Sequence, residues 1–305
     1  MSLRSKTLIV LSFVVILYVI LDYAIQQLVI FPSYISLENA EAKKDIERCV
    51  EALQREIYHL KKLNDDWSAW DDTYRFVEDR NNEYIVSNLG ISTLKNNKLN
   101  LIYFCNTAGK VVWGESYDLE TEEKIQLSEF PSTALSKTDP FLQHKDVDSS
   151  VAGVFMTEKG PMLVASEPII TSEWKGPIRG SLIMARFLDH DLIKTLVEQT
   201  RVQFLVTALN KNSLSANDLD ALNHMSADNP VYIMAENKDH LKVSTTFVDV
   251  KGLPALLITA DIPRDISRAG IVTSRYGLVS VMIAGRGKTW HVFRRSLDET
   301  SAWLW

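Results

Sequence analysis

LNLIYFCNTAGKVVWGESY, residues 99–117, is the stretch whose reading decides the fold class. It opens with an apolar run of strand length, turns at Asn106-Thr107-Ala108-Gly109, and resumes as a second strand through Val111, Val112 and Trp113. C-terminal to it, residues 118–150 are polar and acidic, carry Pro131 and Pro140, and read as loops with a short helix. A further strand set follows in SVAGVFMTE (150–158), PMLVASEPII (161–170) and, past a turn at Gly176-Pro177, RGSLIMARFL (179–188). LDHDLIKTLVEQT (188–200) predicts an amphipathic helix that begins at an Asp cap. FLVTAL, the polar stretch 210–229, VYIMAE, LKVSTTFVDV and LPALLITADI complete the series. N-terminal to the hairpin, Ser36 to about Asp79 reads as one long helix. Its apolar residues Ile46, Val50, Leu53, Ile57 and Leu60 recur in helical steps, and the polar Asn64 falls in the same register. Strands with hairpin turns behind a long N-terminal helix predict an α+β fold with an antiparallel sheet.

The ends of the chain are apolar. Thr7–Phe31, TLIVLSFVVILYVILDYAIQQLVIF, amounts to roughly 37 Å of helix, enough to cross a bilayer with some tilt. A cleaved signal peptide would have a shorter apolar stretch ending in a small-x-small site, whereas this run continues into Gln26, Gln27 and Phe31-Pro32. Arg4 and Lys6 precede the span and Glu38, Glu41 and Asp45 follow it, which assigns residues 1–6 to the cytoplasm and residue 33 onward to the outside. The chain is thus expected in the cytoplasmic (inner) membrane with its main domain on the periplasmic or extracellular side. Asp22 shares a helical face with Gln26, a face suited to another helix rather than to lipid. Residues 266–285, ISRAGIVTSRYGLVSVMIAG, form a weaker second span, interrupted by Arg268 and Arg275. Arg275 either pairs with Asp22 inside the membrane or snorkels to the outer interface, and in the second case too few apolar residues remain to cross. The long helix at 34–65 continues the first span. Its seam either joins two copies into a homodimer or docks on its own domain, and Cys49 beside it is either a crosslink between copies or an unpaired thiol.

Composition narrows the function. Hydrophobic residues at 46% and charged residues at 24% exclude a disordered chain, and a net charge of -6 gives no footprint for nucleic acid. Two cysteines are too few for a disulfide scaffold or a thiolate zinc site. His59, His144, His190, His224, His240 and His291 never approach metal-site spacing, and no Ser lies in a GxSxG elbow. Gly285-Arg286-Gly287-Lys288-Thr289 has Met282 where a phosphate loop needs its first Gly. Nothing here calls for an enzyme, a metal or a cofactor.

One block stands out: NDDWSAWDDTYRFVEDRNNEYIVSNL, residues 64–89. At helical spacing Trp67, Trp70 or Asp71, and Tyr74 form an aromatic face, with Asp71 and Arg75 placed for an i,i+4 pair. Aromatic walls joined to carboxylates suit a cationic or polar small ligand; the same aromatics could instead fasten the helix to the sheet. The block resembles the signature of the type-four CHASE domain, an extracytoplasmic sensory module. The matching residues are Asp66-Trp67-x-x-Trp70-Asp71-Asp72-Thr73-Tyr74-x-Phe76-Val77, then Tyr84-Ile85 and Asn88-Leu89. Asn106-x-x-Gly109-x-Val111-Val112, Ala165-Ser166-x-Pro168-Ile169-Ile170 and Gly176-Pro177-x-x-Gly180-x-Leu182-Ile183-x-x-Arg186 follow in order. Asp249-Val250-x-Gly252-x-Pro254-Ala255 and Pro263-Arg264-Asp265-Ile266 close the module, which covers about residues 60–268.

The resemblance implies a Cache- or PAS-like sheet behind a long helix, a span on each side, and an intracellular output, a histidine kinase or GGDEF and EAL domains. Residues 286–305, RGKTWHVFRRSLDETSAWLW, depart from that pattern and read as a short basic cytoplasmic tail, frameshifted or truncated before the output module. The expected function is a sensor that binds a small molecule inside the sheet and moves its membrane helices. The ligand contacts assigned on this reading are Trp67, Trp70, Asp71, Asp72, Tyr74, Asn88, Ser166 and Arg186, with Arg186 open to an internal pair with an Asp instead. The competing function is a periplasmic interaction or structural module with no small ligand.

Overall fold

A computed structural model of the chain describes residues 3–209, 214–273 and 276. Helix α1 (Leu3–Ile25), a π-helical turn (Gln26–Ile30) and α2 (Phe31–Ser68) run on as one helix. The wide turn has a local cause. Pro32 lacks the N–H that would bond four residues back, and its ring would crowd that carbonyl, so the preceding turn opens. Gln26 Nε2 donates to Asp22 Oδ2 (2.8 Å), which confirms that these two residues share a face. Among the described residues this is the one helix long and apolar enough to cross a membrane. The expected second span and its Arg275, the Asp22–Arg275 pair and the tail 286–305 lie largely or wholly outside the described residues.

The chain forms two compact units, one from residues 45–233 with 242–261, the other from 1–44, 234–241 and 262–305. The larger unit holds a five-stranded antiparallel sheet in the order β2-β1-β5-β4-β3, made of β1 (Leu101–Asn106), β2 (Val111–Ser116), β3 (Val151–Thr157), β4 (Gly160–Pro168) and β5 (Gly180–Phe187). The run at 101–105 is apolar without alternation because both faces of β1 are buried. Leu101, Tyr103 and Cys105 join Ile183, Ala185 and Val164 in a core covered by Leu127, Phe130, Leu135 and Phe141. Ile102 and Phe104 are paired with Met184 and Leu182 and face the other way. At the hairpin turn Asn106 Oδ1 accepts the N–H groups of Ala108 and Lys110, and Gly109 takes the left-handed φ of 80°. Gly180 lies so close to β1 that a Cβ there would be 1.9 Å from Cys105 O.

Where the sequence reading expected one sheet, a second, four-stranded one forms in the order β6-β9-β8-β7, from β6 (Gln203–Ala208), β7 (Val231–Ala235), β8 (His240–Val248) and β9 (Pro254–Pro263). Helix α6 (His190–Thr200) starts at the expected cap, with Asp189 Oδ1 accepting the Leu192 N–H. The polar stretch after β6 contains α7 (Ala216–His224), held by a capping box between Ser215 and Asp218.

The long helix is shorter than expected. It ends at Ser68, because Trp70 is extended, and α3 (Asp71–Asp79) starts a new helix. Here the Ser68 carbonyl accepts the Ile170 N–H and Asp71 bonds to Ser172, so the strand-end loop takes the groups that a continuing helix would use. The seam residues Ile46, Leu53 and Leu60 are buried within the chain, as is Asn64, whose Nδ2 donates to Ala165 O (2.7 Å) and Leu182 O (3.0 Å). These residues of the seam dock on the chain's own domain, while Val50 and Ile57 of the same seam stay half-buried. Cys49 is wholly buried and free, the unpaired thiol of the two alternatives within this single chain.

Candidate functional site

The block at 64–89 folds into the last turn of α2, the extended Trp70, α3, α4 (Asn82–Asn88) and the turn between those two helices, with α5 (Ile91–Asn96) following. Arg80 ends α3 in the left-handed region, and Asn81 Oδ1 starts α4 by accepting the Glu83 N–H (2.7 Å). Between the two helices opens a cleft of about 460 Å³ lined by Trp70, Asp72, Arg75, Phe76, Asp79, Asn81, Glu83, Tyr84, Ser87 and Asn88. Its floor is aromatic: Tyr84 stacks on Phe76 with ring centres 4.4 Å apart, and Trp70 lies 5.8 Å from Tyr84. Tyr84 is fixed by a 2.6 Å hydrogen bond to Thr73 Oγ1, and burial pushes its phenol up to about 12. The rim carries Asp72, Asp79 and Glu83 against a single Arg75, which Asp72 pairs. The surplus of carboxylate, with an exposed indole beside it, makes the cleft suited to a positively charged group.

The residues expected to form one site are divided among five places. Trp70, Asp72 and Asn88 line the cleft. Asp71 and Tyr74 fasten α3 to the loop after β4. Asp71 Oδ1 accepts the Ser172 N–H (3.0 Å), while Tyr74 donates to Pro177 O (3.0 Å) and lies 3.7 Å under the Arg179 guanidinium. The expected Asp71–Arg75 pair is corrected to Asp72–Arg75, because Asp71 is turned to Ser172. Ser166 is buried in the sheet; its Oγ donates to Phe141 O (2.7 Å) and meets His144 Nε2 (3.1 Å). Burial lowers His144 to about 4. Arg186 pairs internally, with Glu56 of α2 (3.3 Å) rather than with an Asp, and both side chains are nearly buried. Trp67 is half-buried on α2 and does not line the cleft.

Sequence reasoning missed Arg75, Phe76, Asp79, Asn81, Glu83, Tyr84 and Ser87 as cleft residues. The signal was present, since all lie in the quoted block, but a continuous helix would have spread them round its circumference. A second polar cluster joins α2 to β4. Lys61 Nζ lies 3.2 Å from both Asp65 Oδ1 and Glu167 Oε1, and Ser150 donates to Glu167 (2.5 Å). Burial, with the Asp65 charge added, outweighs Ser150 and Lys61 and raises Glu167 to about 7. Among the described residues no group of three or more His, Cys, Asp or Glu is placed to hold a metal ion.

A five-stranded antiparallel sheet with a long helix fastened across β4 and β5, that helix running on into a membrane-spanning length, defines an extracytoplasmic sensory domain. The chain belongs to the CHASE4 domain family, whose model matches residues 52–207. Among curated proteins it is similar to the methanogenesis regulatory histidine kinase FilI of Methanothrix harundinacea (strain 6Ac), 28% identical over 250 residues. That match covers 81% of this chain and 27% of FilI, so the chain spans about a quarter of that relative's length. Two solved structures share the fold at 12% identity. One is the extracellular domain of a protein assigned as histidine kinase vpHK1S-Z8, covering 81% of this chain and 99% of that one with a TM-score of 0.51. The other is a domain of a protein assigned to the sensory box/GGDEF family of Vibrio parahaemolyticus, covering 77% and 99% with a TM-score of 0.52.

Proposed function

We propose that the chain is the ligand-sensing part of a receptor in the cytoplasmic membrane, and that the cleft between α3 and α4 holds a small molecule bearing a positive charge. The observation that carries this reading is the lining of the cleft: an exposed Trp70 and the carboxylates of Asp72, Asp79 and Glu83 around a stacked Tyr84–Phe76 floor. The ligand sits here rather than inside the sheet, where Phe130, Phe141 and Phe155 pack ring on ring at 5.1–5.9 Å. A histidine kinase or cyclic-di-GMP output is the intracellular partner this reading expects, in keeping with FilI's name. Copies would meet as a homodimer through the N-terminal helix in its membrane stretch, where Asp22 and Gln26 form a polar face.

The packed interior favours a second reading, a periplasmic interaction module with no small ligand. Thermal shift of the full chain in lipid nanodiscs against amines, amino acids and carboxylates separates the two. Stabilisation by amines that is lost in Trp70→Ala and Asp79→Asn is the expected result. No stabilisation by any of these compounds overturns the first reading.

A further inference from the structure

Glu38 is a buried charge that the cleft does not use. It stands on α2 about 10 Å beyond the apolar run, at 1.5 Å per residue, and is 2% exposed. Its carboxylate accepts hydrogen bonds from Arg264 Nε (3.0 Å), Ser267 N–H (3.0 Å) and Ser267 Oγ (2.7 Å). Burial works to raise the Glu38 carboxyl, but these bonds and the Arg264 charge outweigh it and hold the group below its ordinary value.

The place of Ser267 explains the arrangement. Residues 265–273 are helical, so Arg264 stands at the N-cap and Ser267 is the third residue of the first turn. That turn leaves N–H groups without intrahelical partners, and a cap normally supplies a short oxygen-bearing side chain. Arg264 cannot do so. The carboxylate comes instead from α2, 229 residues earlier in the chain. A turn further on, Gly270 lies against Tyr34, where a Cβ would come 2.6 Å from the ring. Tyr34 and Glu38 are i,i+4 on one helix, and Ser267 and Gly270 are i,i+3 on the other, so each pair presents a single face. Numbers fall along α2 as they rise along the second helix, so the two are antiparallel at this contact.

We infer that Glu38 is a cap supplied from a distant part of the same chain which latches the helix leaving the sensory domain to the helix entering it, and that this latch opens as a local unit without unfolding the sheet. It accounts for Arg264, which the sequence motif singled out and the cleft leaves unused. The inference stands whether or not the cleft binds an amine.

Amide hydrogen exchange on the full chain in nanodiscs tests it. In the wild type the Ser267 amide is expected to be protected. In Glu38→Ala it should exchange about tenfold faster or more, along with its neighbours in 265–273, while amides of β1 and β5 keep their rates. Glu38→Gln, which keeps an acceptor but loses the charge, should fall between. Should Glu38→Ala fail to fold, Ser267→Ala removes one donor and should give a smaller acceleration confined to the same helix. An unprotected Ser267 amide in the wild type, unchanged rates in the variants, or acceleration spread equally through β1 and β5 overturns the latch.

Discussion

Replacing Glu167 by Gln should alter the pH dependence of stability in one direction only. The Glu167 side chain is 4% exposed, and burial with Asp65 nearby lifts its carboxyl from 4.5 to about 7. The folded value lies above the unfolded one, so the folded chain binds this proton more tightly. The resulting stability is fully present below about pH 4.5 and is lost as pH rises through about 7. At about 1.36 kcal/mol per pKa unit the rise corresponds to about 3 kcal/mol. The wild-type curve alone does not isolate this effect, because His144 slopes the other way. Its pKa falls from 6.5 to about 4 on folding, and the associated stability is lost as pH drops through that window. The difference between variant and wild type cancels His144, since Gln has no proton to release. Urea unfolding of the full chain in nanodiscs, followed by Trp fluorescence at intervals between about pH 4.5 and about pH 8, supplies that difference. The variant should gain on the wild type by about 3 kcal/mol across the range. A flat difference, or one that shrinks as pH rises, would refute the placement of Glu167 as a buried carboxyl held by Lys61 and Ser150.

Two further outcomes follow from the same interior. Arg186→Ala strips the nearly buried Glu56 of its arginine, leaving only the more distant His59 at 3.9 Å, and should cost about 3 kcal/mol. Arg186→Leu with Glu56→Leu should recover most of that loss in the same denaturation assay, and no recovery would argue against the internal pair. Cys49 and Cys105 are fully buried with thiols pushed by burial up to about 12, so neither should react with a disulfide reagent until the chain is denatured, when both should. Rapid labelling of Cys49 in the folded protein would contradict its burial.

Local pattern made most elements legible. β3 and β5 fall within a residue or two of the quoted strands, and α6 begins at its Asp, because strand composition and a side-chain cap are written in adjacent residues. The break at Trp70 was not legible, since Ser172 and Ile170, which take up the freed groups, lie about a hundred residues away. α7 hid in a polar stretch because its Ser215–Asp218 capping box, not an apolar stripe, marks it. At the site the chemistry of the block was legible and its partition was not. Tyr74 and Asp71 carry the right residue types for a pocket yet serve as fasteners, and Arg186 is used up by Glu56 at a separation of 130 residues. No periodicity encodes pairings of that range.

On the proposed receptor reading, the fasteners along α2 limit how a ligand's effect would reach the bilayer. Three polar contacts fix the helix axially on the sheet: Glu56 on Arg186, Lys61 on Glu167, and Asn64 on the carbonyls of Ala165 and Leu182. A slide of one residue, about 1.5 Å, would break all three together. Stranding one charge of a buried pair costs about 3–5 kcal/mol, whereas coupling between sites is typically about 1–3 kcal/mol. A ligand shifts an equilibrium only by its difference in affinity for the two states, so a slide of α2 over the sheet asks more of it than a motion that keeps α2 seated and opens a joint of fewer contacts. The Glu38 cap is such a joint: when it separates, its carboxylate and the freed Ser267 and Arg264 donors can turn to water, which returns part of what their separation costs.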